Sequence, residues 1–265
     1  MNALSPRDFA SLQAAAAKLE GRSYAMTIAS KVGMPVEALM KMLPGKTQAS
    51  IGNAVSAALD RCLKVALTLG QSSAGSVRSR RGHTLATAIT GAAGGFFGLP
   101  GLLVELPVTT TVMLHSIAEI ARSQGEDLTQ PESALACLEV FALGPEGVRG
   151  EAIESAYYAT RAALAQVTRD AAAYVAQKGL AKEGAPALVS FLSKIAARFG
   201  LEVSEKAAAQ LIPVAGAAGG LALNVLFTNH FQSLAEGHFT MRRLERTYGP
   251  ELVHREYERA RLQNA

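Results

Sequence analysis

"GAAGGFFGLPGLLVELP", residues 91 to 107, is the stretch on which the fold turns. It belongs to a longer run, residues 85 to 104, that holds no Asp, Glu, Lys, Arg or His over twenty positions. As one straight helix this run would reach about 30 Å, the hydrocarbon thickness of a bilayer. Length therefore permits a span. Composition counts against it: glycines, threonines and Pro100 dilute the hydrophobicity, Glu105 closes the run, and Phe96 and Phe97 are its only aromatics. Two other readings stay open. In the first, and the one we prefer, the residues fill the middle of a helical domain. In the second, the break at "FFGLPG" lets two half-length helices dip into one leaflet, with Phe96, Phe97, Leu99, Leu102 and Leu103 as the inserted tip.

Charge sharpens the second reading. The chain carries a net charge of +4, and between residues 61 and 104 there are basic residues (Arg61, Lys64, Arg78, Arg80, Arg81) but no acidic one. The arginines of "SVRSRRGHT" directly precede the apolar run, an arrangement that favours an anionic surface. Across the 265 residues, 49% are apolar and 18% charged, ample for a buried core. Aromatics make up 6%, Trp is absent and alanine is abundant, which favours closely packed helices. The opening stretch lacks the pattern of a secretory signal, and Cys62 and Cys137 show no metal-ligand spacing, so we expect reduced thiols and a cytoplasmic protein.

Helix signals punctuate the chain. Ser5, Pro6 and Asp8 start a helix over 6–19, Pro35 and Glu37 open a short one ended by "LPGK", and residues 47–69 form a third. A loop over 71–82 leads to helical stretches at 85–98 and 101–123, a hairpin or a long helix kinked at Pro107. Further helices are expected over 131–142, 150–178 and 186–199. Ser204 then caps a new start, a long helix covers 214–247, and a charged helix ends the chain. No segment alternates at period two for long enough to predict a strand. "GAAGG" occurs at 91–95 and again at 216–220, each copy leading to a glycine turn, Gly125 and Gly249. Such small residues suit helix contacts. The fold predicted is all-α, with two central Gly/Ala-rich hairpins packed on one another, and with residues 1–34 as an N-terminal helical segment before a domain over 35–265.

Few residues suggest chemistry. His115 and Glu119 share a helix face at i, i+4, and could form half of a metal or acid/base site if His230 or His238 came alongside. Phe227, Phe231, Leu234, His238, Met241 and Glu245 recur at steps of four and three, the spacing of a packed seam on which Asn224 also falls. A hydrogen-bonded core histidine is the simpler account of His238. HExxH and GxSxG are absent, and "LPGKT" lacks the first glycine and the strand of a phosphate loop. The charges around Arg242, Arg243, Glu245 and Arg246 are mixed in sign, unlike a nucleic-acid stripe.

Two stretches resemble the signatures of the bacterial EcsC family: "TGAAGGFFGLPGLLVELPVTTTVMLHSIAEIARSQGEDL" and "IPVAGAAGGLALNVLFTNHFQSLAEGHFTMRRLERTYG". Positions matching its wording are Glu105 and Pro107 in the first, and Pro213, Gly216, Asn224, His230, Phe231, His238, Phe239, Arg242, Glu245 and Gly249 in the second. The family takes its name from a gene beside an ABC transporter operon and has no settled activity. The resemblance implies an intracellular helical protein with a link to the membrane or to transport, and supplies no catalytic residues and no cofactor.

The expectation is a peripheral membrane or lipid-binding protein at the inner face of the membrane. It would contact anionic lipid through Arg78, Arg80, Arg81, Phe96, Phe97, Leu99, Leu102 and Leu103, with a membrane transporter as a further partner, self-association through small-residue faces, and no nucleic acid. The alternatives are a metal-dependent hydrolase built on a cluster of Glu105, His115, Glu119, Asn224, His230 and His238, and a non-catalytic partner of a membrane complex.

Overall fold

The computed structural model describes residues 3–21, 24–69, 80–144, 155–179, 184–211 and 216–264. Ser5 caps the first helix: its hydroxyl accepts the Asp8 N–H at 3.1 Å, and α1 runs Pro6–Leu19. The order continues with α2 (Tyr24–Val32), α3 (Val36–Lys41), α4 (Gly45–Leu69), α5 (Arg80–Ser123), α6 (Pro131–Glu139), α7 (Ala156–Lys178), α8 (Pro186–Gln210), α9 (Gly216–Tyr248) and α10 (Pro250–Asn264), with one 3-10 turn at Val140–Ala142. The described residues include no strand, and the fold is all-α.

Its axis is the pairing of α5 with α9, the most extensive contact between elements. Three side-chain links give its direction: Glu105 with Asn224, Ser116 with Gln232 at 2.8 Å, and Gln124 with Arg243 at 3.0 Å. Residue numbers rise together on both helices, so they run parallel. Between Glu105 and Gln124 the seam is about 30 Å long. Both helices end at a glycine with positive φ, Gly125 (+82°) and Gly249 (+87°), which closes the last turn where a Cβ would be strained. The repeated "GAAGG" segments thus belong to two helices that lie side by side.

Residues 85–123, expected as a hairpin or a kinked long helix, are one continuous helix. Helix α5 continues through Pro100 and Pro107, although proline offers no N–H to the ladder. The turns from Leu102 onward are held by burial of Leu102, Leu106, Met113, Leu114 and Ile117 against neighbouring helices, and tertiary packing outweighs the local break. The same effect corrects a second expectation. Ser204 starts no helix; it lies inside α8 and its hydroxyl donates to the Gly200 carbonyl at 2.8 Å, because Phe191, Ile195, Phe199, Val203 and Ala207 carry one buried face straight through the glycine. Helix α2, absent from the helices expected from sequence, is anchored by buried Tyr24 packing edge-on against Phe227 at 5.1 Å.

Around the axis, α4 packs on α5 and α8, while α8 runs antiparallel to α9. Phe141, Phe199, Phe227 and Phe231 interlock there with centroid separations of 4.9 to 6.1 Å, and each such aromatic pair adds roughly 0.5–1.5 kcal/mol beyond its area burial. On the other side α1 lies antiparallel along α9: Lys18 meets Glu236 at 2.6 Å, and Asp8 takes Arg243 at 3.2 Å and the Tyr248 hydroxyl at 2.7 Å. Cys62 and Cys137 are free and buried, their thiols pushed up to about 12 by burial.

The approach of α1 to α9 is set by Gly237. A Cβ there would fall 2.7 Å from Leu19 Cγ and 3.2 Å from the Ala15 carbonyl oxygen. Gly237→Ala should therefore destabilise the fold by about 1–3 kcal/mol in urea denaturation. Gly52→Ala, in mid-α4 where an added Cβ meets nothing within 4 Å, should raise stability by up to about 1 kcal/mol. Equal effects of the two substitutions would remove the close-approach account.

Candidate functional site

The seam between α5, α8 and α9 carries buried polar groups at three levels. At the end nearest the Gly/Ala segments, Glu105 of α5 accepts the Thr109 hydroxyl at 2.8 Å and the Asn224 side-chain amide, both on Oε1. Lys206 of α8 is fully buried; its Nζ stands 3.7 Å from Glu105 Oε1 and 4.8 Å from the centre of the Phe227 ring. Burial pushes the Lys206 amine down to about 8, against the opposing pull of Glu105. Among the described residues Glu105 Oε2 and Lys206 Nζ have no hydrogen-bond partner, and neither do the two amide heteroatoms of Gln210, one turn beyond Lys206 on the same face.

One turn back along α8, Glu202 Oε1 lies 3.7 Å from His230 Nε2, a separation too long for a hydrogen bond, with Gly144 beside both. Midway along the α5/α9 seam Gln232 donates to Ser116. At the far end, Glu126 takes a two-pronged contact from Arg242 at 2.9 and 3.0 Å, a further bond from Arg246, and the Ser133 hydroxyl at 2.8 Å. Burial alone would raise the Glu126 carboxyl, but these donors hold it below the usual range.

The six polar residues singled out from the sequence therefore occupy separate places. Glu105 and Asn224 meet. His230 sits with Glu202. His238 is fully buried, hydrogen-bonded through Nδ1 to the Tyr157 hydroxyl at 3.1 Å. Burial, with the charges of Arg161 and Arg242, holds its pKa well below that of an ordinary imidazole, so it is a neutral core histidine. His115 is half-buried and its Nδ1 lies 2.8 Å from the Thr111 carbonyl oxygen, while Glu119 lies a turn further on. Glu245, on the packed seam, forms a two-pronged pair with Arg161 at 2.6 and 2.9 Å. Among the described residues no three of His, Cys, Asp and Glu are grouped to hold a metal.

Of the apolar residues expected to touch lipid, Leu102 is buried and Leu103 half-buried. Arg78 lies outside the described residues, and for Arg80, Arg81, Phe96, Phe97 and Leu99 only the helical backbone is described. Just beyond them, Val104 (79% exposed) and Val108 (42%), one turn apart on α5, and Leu221 (39%) on α9 are exposed; Leu201, Val189 and Leu262 are exposed elsewhere. Lys206, missing from the sequence reading, had a signal. It falls on the apolar face traced by Phe199, Val203 and Gln210 at steps of four, three and four, a face hidden when the helix is ended at residue 199.

The family model for the EcsC protein family matches residues 7–244. The chain belongs to the EcsC family. The match takes in α1 and most of the segment 1–34 set apart in the sequence reading. No curated protein and no solved structure matches the chain.

Lys206 makes stability depend on pH in a definite direction. Its amine titrates near 8 when folded and near 10.4 when unfolded, so in that window the unfolded chain holds the extra proton and stability rises with pH. Wild type should therefore gain on Lys206→Met between pH 8 and 10 in paired denaturation curves, the buried tyrosines cancelling in the difference. A constant difference would mean that Lys206 is not desolvated. His238 works at the other end: kept neutral in the fold, it costs stability as pH falls below about 6.5, and His238→Gln should flatten the curve between pH 7 and 5.

Proposed function

We propose that the protein binds lipid or a membrane surface peripherally, presenting the Gly/Ala-rich end of the α5/α9 pair. The observation that carries the reading is the exposure of Val104, Val108 and Leu221 at one level of that pair, while the opposite end is closed by Asp8, Glu126 and three arginines in ion pairs. Exposed valines on a helix with a buried opposite face suit insertion into the headgroup boundary. The sequence adds two features just ahead of Val104 in the chain, the uncharged run 85–104 and the arginines at 78, 80 and 81, which suit anionic headgroups on the inner face of a membrane. Residues Gly101–Ser123 are long and apolar enough to cross a bilayer, but more than half of their most apolar window is buried in the protein, as in an ordinary core helix. A peripheral mode uses only the face left open. A transporter neighbour fits this location as a partner of the same membrane. The dispersal of Glu105, His115, His230 and His238 offers a metal-dependent hydrolase no shared centre among the described residues, so the lipid reading is preferred.

Flotation with liposomes tests it. The protein should float with anionic vesicles at low salt and less at high salt. Val104→Asp with Val108→Asp should abolish flotation without lowering the melting temperature, since both side chains are exposed. Alanine at Arg78, Arg80 and Arg81 should weaken binding roughly a hundredfold, at about 1 kcal/mol per charge. Unchanged flotation in both variants would refute a membrane contact at this end.

A further inference from the structure

Among the described residues, the seam at Glu105 and Lys206 has hydrogen-bonding capacity left unused. Lys206 is 0% exposed and Glu105 7%, yet Nζ of the one and Oε2 of the other lack hydrogen-bond partners, and Gln210 adds a buried donor and acceptor a turn away. Such groups are costly unless something meets them. The formal charges of Glu105 and Lys206 cancel, so a charged occupant would bring an uncompensated charge into surroundings shielded from water. A neutral group that accepts from the amine and donates to the carboxylate meets both needs, as an alcohol hydroxyl or a water does. The Phe227 ring centre lies 4.8 Å from Lys206 Nζ, and Val104, which precedes Glu105 on α5, is exposed.

We infer that α5, α8 and α9 form a binding site for a neutral hydroxyl-bearing amphiphile at Glu105, Lys206 and Gln210. Its hydroxyl bridges the Lys206 amine and the Glu105 carboxylate, and its hydrocarbon leaves along the Val104 side of α5. The site rests on the lipid reading above for the identity of the tail, while the polar end follows from the atoms that lack hydrogen-bond partners. Thr109 and Asn224 position the carboxylate by occupying Oε1, which turns Oε2 toward the ligand.

The test compares 1-monooleoylglycerol, which donates and accepts, with methyl oleate, which only accepts, by native mass spectrometry and calorimetry on the delipidated full chain. Wild type should bind monooleoylglycerol saturably, one per chain and about tenfold tighter than methyl oleate, the ratio one charge-assisted hydrogen bond provides. Glu105→Leu with Lys206→Met replaces the pair by apolar residues of similar size and should erase that preference while keeping the fold. If the double variant does not fold, the ratio in wild type still decides. Equal affinity for the two probes, or no saturable binding of either, overturns the site and leaves water as the partner of these atoms. Flotation that persists in that case keeps the membrane reading and removes only this one; loss of both removes both.

Discussion

The parallel register of α5 on α9 is the constraint on which the rest of the molecule depends. Two helices buried against each other for about 30 Å must match several buried polar groups at once. Glu105 meets Asn224, Ser116 meets Gln232 and Glu126 meets Arg242, at sequence offsets of 119, 116 and 116. A slip along the seam would leave several of these unpaired, at about 1–3 kcal/mol each. Apolar packing by itself would tolerate such a slip more easily, because leucines and phenylalanines can exchange holes. The polar rungs thus specify the register, and the hydrophobic surface supplies the attraction.

The two ends of the seam are built on different physics. At one end, buried Glu126 and half-buried Asp8 take the arginines of α9 through charge-assisted bonds. At the other, a carboxylate and an amine are buried 3.7 Å apart with capacity to spare. A buried pair of this kind repays its desolvation poorly. The end with exposed valines carries the less economical arrangement, and binding surfaces are commonly drawn from such regions.

Helix starts and the all-α class were legible because they depend on local chemistry. Ser5, Pro6 and Asp8 announced α1, the glycines at 125 and 249 announced two helix ends, and the four-and-three spacing from Phe227 to Glu245 announced the buried face of α9. The breaks were less legible. Proline and glycine weaken a helix by an amount that packing can exceed, so the break expected at Leu99–Pro100 and the helix end expected at residue 199 both lie inside continuous helices. Ending α8 early hid Lys206 from the site.

What the sequence by itself determined was composition, capping and periodicity: a helical chain of the EcsC family, with an uncharged Gly/Ala-rich run and a histidine on an apolar seam. What only the tertiary structure decided was which polar residues share a place. Glu105 finds Asn224 and Lys206 from two other helices across 119 and 101 positions of chain, while His115, His230 and His238 go to separate surroundings. Spacing along one helix sets which face a side chain takes. The partner on the facing helix follows from the register of the packed pair, which is a property of the whole fold.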